Sequence, residues 1–204
     1  MTEPDLGHGK LIELLGVYAR LWLAHDGLWF QAVEGEFGLE TAIRLDEKAM
    51  AGFSANEGRR LKEFLGLPER PGLDGLELAL KYRMYSQLNE QEFRREPATG
   101  WASAAGGASA AGGASAGGGV SAAGGTSAAA GAPEALVFKM RTCRVQAARE
   151  RKGMAAFPCR SVGIVEYTEF GKAIDPRIKV ECLSCPPARS DAAAWCAWRF
   201  TCPD

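Results

Sequence analysis

The sequence has no long apolar run, no excess of one charge and few histidines. Its 204 residues carry 24 Lys plus Arg against 25 Asp plus Glu, a net charge of −1, and two histidines. No stretch of about 18 apolar residues occurs, which argues against a membrane-spanning helix. A general nucleic-acid-binding protein would need a basic surplus, which is also missing. These absences favour a protein that has neither nucleic acid nor membrane as its partner.

A secretory signal is also missing, because the first residues do not combine a charged segment with an apolar one. We therefore expect a cytoplasmic protein. In that compartment six cysteines are expected to be thiols or metal ligands rather than disulfides. The composition leaves open whether the chain forms a homo-oligomer.

A tract of Ala, Gly and Ser divides the chain from about residue 100 to residue 133. Its small side chains offer little to offset the entropy lost on ordering, so we predict that it is disordered. Residues 91–96 and 135–141 have extended character on either side of it. Because the cost of closing a loop grows slowly with length, we predict an expanded hairpin loop inside one domain that spans residues 1–204.

Residues 1–90 are predicted to be helical. Apolar side chains recur there at steps of three and four, which indicates one face of a long amphipathic helix: Leu11, Leu14, Leu15, Tyr18, Trp22, His25 and Trp29. Further helical patterns follow at residues 37–45, 59–65 and 72–88.

Residues 134–204 are predicted to form the β/α half of the chain. The patterns indicate a strand at 135–142, helices at 145–152 and 162–174, and strands at 177–183 and 195–201. The expected fold class is α+β, with N-terminal helices packed on a small antiparallel sheet and two helices between the sheet strands.

The cysteines all lie in this second half: Cys143, Cys159, Cys182, Cys185, Cys196 and Cys202. Cys182 and Cys185 are separated by two residues, a spacing that lets two thiolates face one zinc ion or iron–sulfur cluster. Cys143, Cys159 and Cys196 are candidates for the remaining ligands. Two other interpretations stay open, namely a catalytic or ligand-facing thiol and cysteines that only pack in the core.

His25 lies on the predicted apolar face between Trp22 and Trp29. A neutral histidine there is a candidate general base, although a core histidine hydrogen-bonded to a carbonyl is the simpler explanation of the position. Arg149 belongs to a small basic group that either holds a substrate carboxylate or forms a solvated surface.

Residues 140–200 carry a recognisable order of features. A strand ends at Cys143, a helix ends at Gly153, Cys159 opens the next helix, and the last strand reads Cys-Ala-Trp-Arg-Phe from Cys196. In this order, and in residues 21–43, the chain resembles an uncharacterised prokaryotic cytosolic family. That family is distantly similar to L-2-amino-thiazoline-4-carboxylate hydrolases and to vinyl-4-reductase-type small-molecule-binding domains. Two departures are residues 160–162, where the hydrolases usually carry an Asp, and the added Cys182–Cys185 pair.

The resemblance implies a thiol-lined small-molecule pocket and a hydrolase acting on a C–N bond of a small heterocyclic or amide substrate. Cys159 would be the nucleophile, because a helix N-terminus is expected to lower its pKa, and His25 would be the base. Substrate would be bound by Arg144, Arg149 and Trp29.

The alternative is a non-catalytic ligand-binding or sensor module. In it the cysteines would hold zinc or an iron–sulfur cluster that organises the pocket, through Cys143, Cys159, Cys182, Cys185 and Cys196. A third interpretation is a helical interaction protein in which the cysteines only pack.

Overall fold

The computed structural model of the chain describes residues 6–98 and 134–203, so the tract predicted to be disordered lies outside the described residues. The fold is α+β. Its elements in chain order are α1 (His8–Phe37), α2 (Leu39–Phe64), α3 (Gly72–Lys81), a 3-10 turn (Met84–Gln87), β1 (Gln91–Pro97), β2 (Glu134–Met140), α4 (Arg144–Arg151), α5 (Arg160–Ile174), β3 (Lys179–Ser184) and β4 (Cys196–Thr201).

The four strands form one antiparallel sheet in the order β1-β2-β4-β3. β1 and β2 pair from Gln91 opposite Met140 to Pro97 opposite Glu134, so the two strands predicted on either side of the tract form a hairpin. β4, the last strand along the chain, lies between β2 and β3. α4 and α5 connect β2 to β3, which confirms the predicted pair of helices between sheet strands.

The first two helices form a hairpin that turns at Gly38. Its φ of +81° lies in the left-handed region that glycine adopts most readily. Trp22 on α1 stacks on Phe53 of α2 with ring centroids 5.2 Å apart, and meets Tyr85 edge-on at 5.3 Å. The separate helix predicted at 59–65 is wrong, since α2 continues through these residues to Phe64.

Much of the predicted apolar face of α1 is open to solvent. The exposed fraction is 60% for Leu15, 58% for Tyr18 and 70% for Trp29, whereas Ala19 is buried. The periodicity therefore predicted the helix correctly but not its burial. Within the described parts of the chain, no helix is both long and apolar enough to cross a membrane.

The main core lies between α5 and the sheet. Tyr167 packs on Trp198 with ring centroids 4.8 Å apart, and Phe138 and Phe200 close the same aromatic group. Contacts between aromatic rings at such separations add to the stabilisation from burial. α2 packs along α5, and residues of both helices, of α1 and of α4 line the cavity next to the core.

Candidate ligand-binding site

A cavity of about 520 Å³ lies among α1, α2, α4 and α5 and reaches the helix-facing side of β2 and β4. Its wall is predominantly apolar and includes Leu23, Phe30, Met50, Met140, Phe157 and Val162. A cavity of this size and lining is typical of small-molecule sites. Each wall comes from a different element, so the cavity exists only in the folded chain.

Two of the thiols that line the cavity are difficult to ionise. Burial raises the pKa of Cys143 to about 11. Burial, together with the nearby thiols of Cys143 and Cys196, raises the pKa of Cys159 to about 12, although Gln146 Nε2 donates a hydrogen bond to Cys159 Sγ at 3.0 Å. The predicted lowering of the Cys159 pKa by its helix N-terminus is therefore wrong, because the loss of water outweighs the helix dipole.

The third cavity thiol, Cys196, behaves differently because of a chain of sulfur contacts behind it. Cys182 Sγ lies 3.1 Å from Cys185 Sγ. Cys185 is hydrogen-bonded in turn to Cys196, and this bond lowers the pKa of Cys196 in spite of burial while it raises the pKa of Cys185. Within this coupled pair of thiols, the proton is favoured on Cys185 rather than on Cys196.

The five predicted metal ligands lie in one region, but in two groups. Cys143, Cys159 and Cys196 line the cavity, whereas Cys182 and Cys185 lie behind its wall. Among residues 6–98 and 134–203, no group of three or more His, Cys, Asp or Glu side chains is arranged to hold a metal ion. The zinc or iron–sulfur site stays a prediction.

The structure does not place His25 or Trp29 in the cavity wall. Both side chains are exposed, and α1 instead presents Asp26 and Phe30 to the cavity. His25 is therefore not the core histidine that was one interpretation of its position. The structure also does not bring it together with Cys159, so its role as a base stays a prediction.

Arg144 and Arg149 both line the cavity. Arg149 is 5% exposed. Its two terminal nitrogens donate hydrogen bonds of 2.7 and 2.9 Å to the carboxylate of Glu34, and its Nε donates to the carbonyl of Ala155. Arg144 lies at the exposed rim and donates from Nε to the carbonyl of Leu88 at 3.0 Å. Arg149 thus joins α4 to α1, and its contact with a substrate carboxylate stays a prediction.

Two functional candidates that the sequence analysis missed are Asp26 on α1 and Asp46 on α2. Both line the cavity and are partly buried. Burial raises the pKa of Asp26. Burial also raises the pKa of Asp46 to about 7, and the charges of Asp26, Glu166 and Glu47 add to this effect.

A sequence signal for Asp46 did exist. Ala42, Met50, Ser54 and Gly58 follow each other along one face of α2 and are buried. Asp46 lies on the same face, between Ala42 and Met50, and is half-buried against the cavity. Placing an acidic side chain on the buried face of a helix without a partner costs free energy, because its charge loses contact with water. Such a position often marks a functional group.

The fold and the cavity define an α+β protein with a thiol-lined, acid-containing recess. The chain belongs to a family described as a family of unknown function (DUF6125), which it matches over residues 4–101 and 126–202. The residues between these two matched ranges all fall within the Ala, Gly and Ser tract. No curated protein and no solved structure matches the chain.

Proposed function

We propose that this protein binds a small organic molecule in the cavity, as a cytoplasmic protein that acts on neither nucleic acid nor membranes. The observation that carries the proposal is the cavity itself, since about 520 Å³ of mostly apolar space is enough for a ligand of drug-like size. The resemblance to vinyl-4-reductase-type small-molecule-binding domains supports the same function.

The test compares ligand binding by a variant in which a larger side chain fills the cavity with binding by a matched variant in which the same substitution lies outside it. Ala148 lines the cavity, whereas Ala147, its neighbour on α4, does not. The probe is the neutral fluorescent dye N-phenyl-1-naphthylamine. We expect saturable binding by the wild-type chain, at least about tenfold weaker binding by Ala148→Phe, and unchanged binding by Ala147→Phe.

Ala24→Phe fills the cavity from α1 and replaces Ala148→Phe if that variant does not fold. Folding is checked by circular dichroism before each titration. Dye that binds equally well to folded cavity-filling variants is bound elsewhere, for example on the exposed face of α1, and this result would contradict the proposal.

A second candidate function is hydrolysis of a C–N bond in a small heterocyclic or amide substrate. The hydrogen bond between Cys185 and Cys196 favours it, because a stabilised thiolate in a cavity is a nucleophile. The resemblance assigns the nucleophile to Cys159, whereas the coupling to Cys185 lowers the pKa of Cys196 and adds Cys196 as a candidate.

Alkylation by iodoacetamide at pH 8, with peptide mapping, tests this candidate. We expect Cys196 to react before Cys159 and Cys143, because the thiolate is the reactive form. Cys185→Ala removes the hydrogen bond and should slow the reaction at Cys196, whereas Cys202→Ala should not. Faster labelling of Cys159 than of Cys196 would return the nucleophile to Cys159.

A further inference from the structure

The sulfur atoms of Cys182 and Cys185 are in direct contact. Their Sγ atoms lie 3.1 Å apart, which is closer than two thiols that only pack against each other. The S–S bond of a disulfide is about 2.05 Å long, so the two sulfurs need to approach by only about 1 Å to form one. The fold therefore holds the pair close to the position of a covalent bond.

An irregularity of β3 brings these two side chains to the same side. Side chains three residues apart in a regular strand point to opposite faces of the sheet. Cys182 lies opposite Trp198 of β4, but Ser184, two residues further on, lies opposite Ala197, only one residue away. The extra residue on β3 is a β-bulge, a feature that redirects side chains. It allows Cys185, the next residue, to meet Cys182.

The two thiols differ in access and in proton contacts. Cys182 is half-buried on β3, which is an edge strand of the sheet, whereas Cys185 is buried. Cys185 donates a hydrogen bond to Cys196 on the cavity wall. Cys182 is therefore the thiol that a small molecule reaches first, and Cys196 is positioned to accept the proton of Cys185.

We propose that Cys182 and Cys185 form a redox-active pair that becomes a disulfide by exchange with a small disulfide. The Cys182 thiolate attacks one sulfur of the small disulfide, and the first small thiolate leaves. Cys185 then passes its proton to Cys196 and attacks Cys182 Sγ, and the second small thiolate leaves. Two protein thiols are oxidised, one small disulfide is reduced to two thiols, and the two protons end on these products.

Oxidation of the pair also changes the cavity. Cys185 has no S–H group in the disulfide, so Cys196 loses the hydrogen bond that Cys185 donates. The oxidation state of the pair thereby controls the reactivity of Cys196. In the cytoplasm, which we propose as the compartment, disulfides are usually transient and catalytic or redox-sensing. Formation of the disulfide does not depend on what the cavity binds.

Equilibration of the full chain with glutathione and glutathione disulfide at pH 8, followed by acid quenching and peptide mapping, tests the inference. Cleavage by trypsin after Lys179 and Arg189 releases residues 180–189, which contain Cys182 and Cys185 and no other cysteine. Cys196 falls in the next peptide, residues 190–199. We expect a disulfide within residues 180–189, with an equilibrium constant at least about tenfold larger for the folded chain than for the chain unfolded in urea. The reason is that the unfolded chain must lose entropy to bring the two sulfurs together.

Cys185→Ser should remove this disulfide, and the matched control Cys202→Ala should keep it. In the oxidised wild type, iodoacetamide should label Cys196 at least about threefold more slowly than in the reduced protein, because the thiolate is the reactive form. An equilibrium constant no larger for the folded chain than for the unfolded chain would overturn the inference, since the spacing alone would then explain the bond. A first disulfide between the two peptides, or glutathione adducts alone, would also overturn it. Equal labelling of Cys196 in both oxidation states would overturn the control of the cavity thiol.

Discussion

The cavity strongly raises the pKa of the Asp46 carboxylate. Its pKa rises to about 7 in the folded chain because burial removes water and because Asp26, Glu166 and Glu47 add negative charge. In the unfolded chain the value is close to 3.8. Between these two values the folded state binds a proton more tightly than the unfolded state, so stability falls as the pH rises from about 4 to about 7.

Asp46→Asn should remove the loss of stability that the ionised Asp46 carboxylate causes at high pH. We expect the free energy of unfolding to increase by about 1–2 kcal/mol at pH 8, a range that allows for solvent screening of a partly exposed group. At pH 4 the variant and the wild type should differ little, because the folded carboxyl is then protonated. Urea unfolding at the two pH values measures both quantities.

Glu40→Gln on the same helix serves as the control for Asp46→Asn, since Glu40 is exposed, and its effect should be small at both pH values. An equal gain from Asp46→Asn at pH 4 and pH 8 would show that the amide stabilises the fold for another reason than the lost charge.

At the scale of the element, sequence pattern predicted the type of nearly every helix and strand, and failed where tertiary contacts decide. The sequence patterns divided α2 into pieces at residues 37–45 and 59–65, although it is one helix from Leu39 to Phe64. In the structure Gly58 lies where α5 approaches closely. A Cβ there would come within 2.9 Å of Ala173 and 3.0 Å of the Phe170 carbonyl. The glycine therefore serves the contact between two helices, which no local pattern reveals.

The site was predictable in part. The sequence analysis offered Cys143, Cys159 and Cys196 as candidate metal ligands and took a thiol-lined pocket from the resemblance, and all three cysteines line the cavity. Their ionisation was not predictable, because the burial of Cys159 depends on residues from α1, α2, α4 and β4 at once. Likewise His25 and Asp26 are neighbours in sequence, but only the rotation of α1 against α2 decides which of them faces the cavity.

At the scale of the whole molecule, the cavity joins the helical half to the cysteine-containing half. Its walls come from α1 and α2 on one side and from α4, α5 and the sheet on the other. The Glu34–Arg149 ion pair crosses between the halves, over 115 residues of sequence. The β1–β2 hairpin, which carries the Ala, Gly and Ser tract, contributes to this wall only at Met140 among the described residues of its two strands.

Deletion of residues 102–131 should therefore leave both the fold and the cavity in place. β1 and β2 pair as far as Pro97 opposite Glu134, so the two ends of the connection are neighbours in the sheet. The deletion shortens that connection from residues 98–133 to six residues, and the lower entropy cost of closing it should stabilise the chain by about 1–2 kcal/mol. Urea unfolding measures this gain, and titration with N-phenyl-1-naphthylamine should give the same affinity as for the full chain. A loss of stability of more than about 2 kcal/mol, a size that loop closure cannot produce, would mean that the tract makes contacts that hold the two halves together.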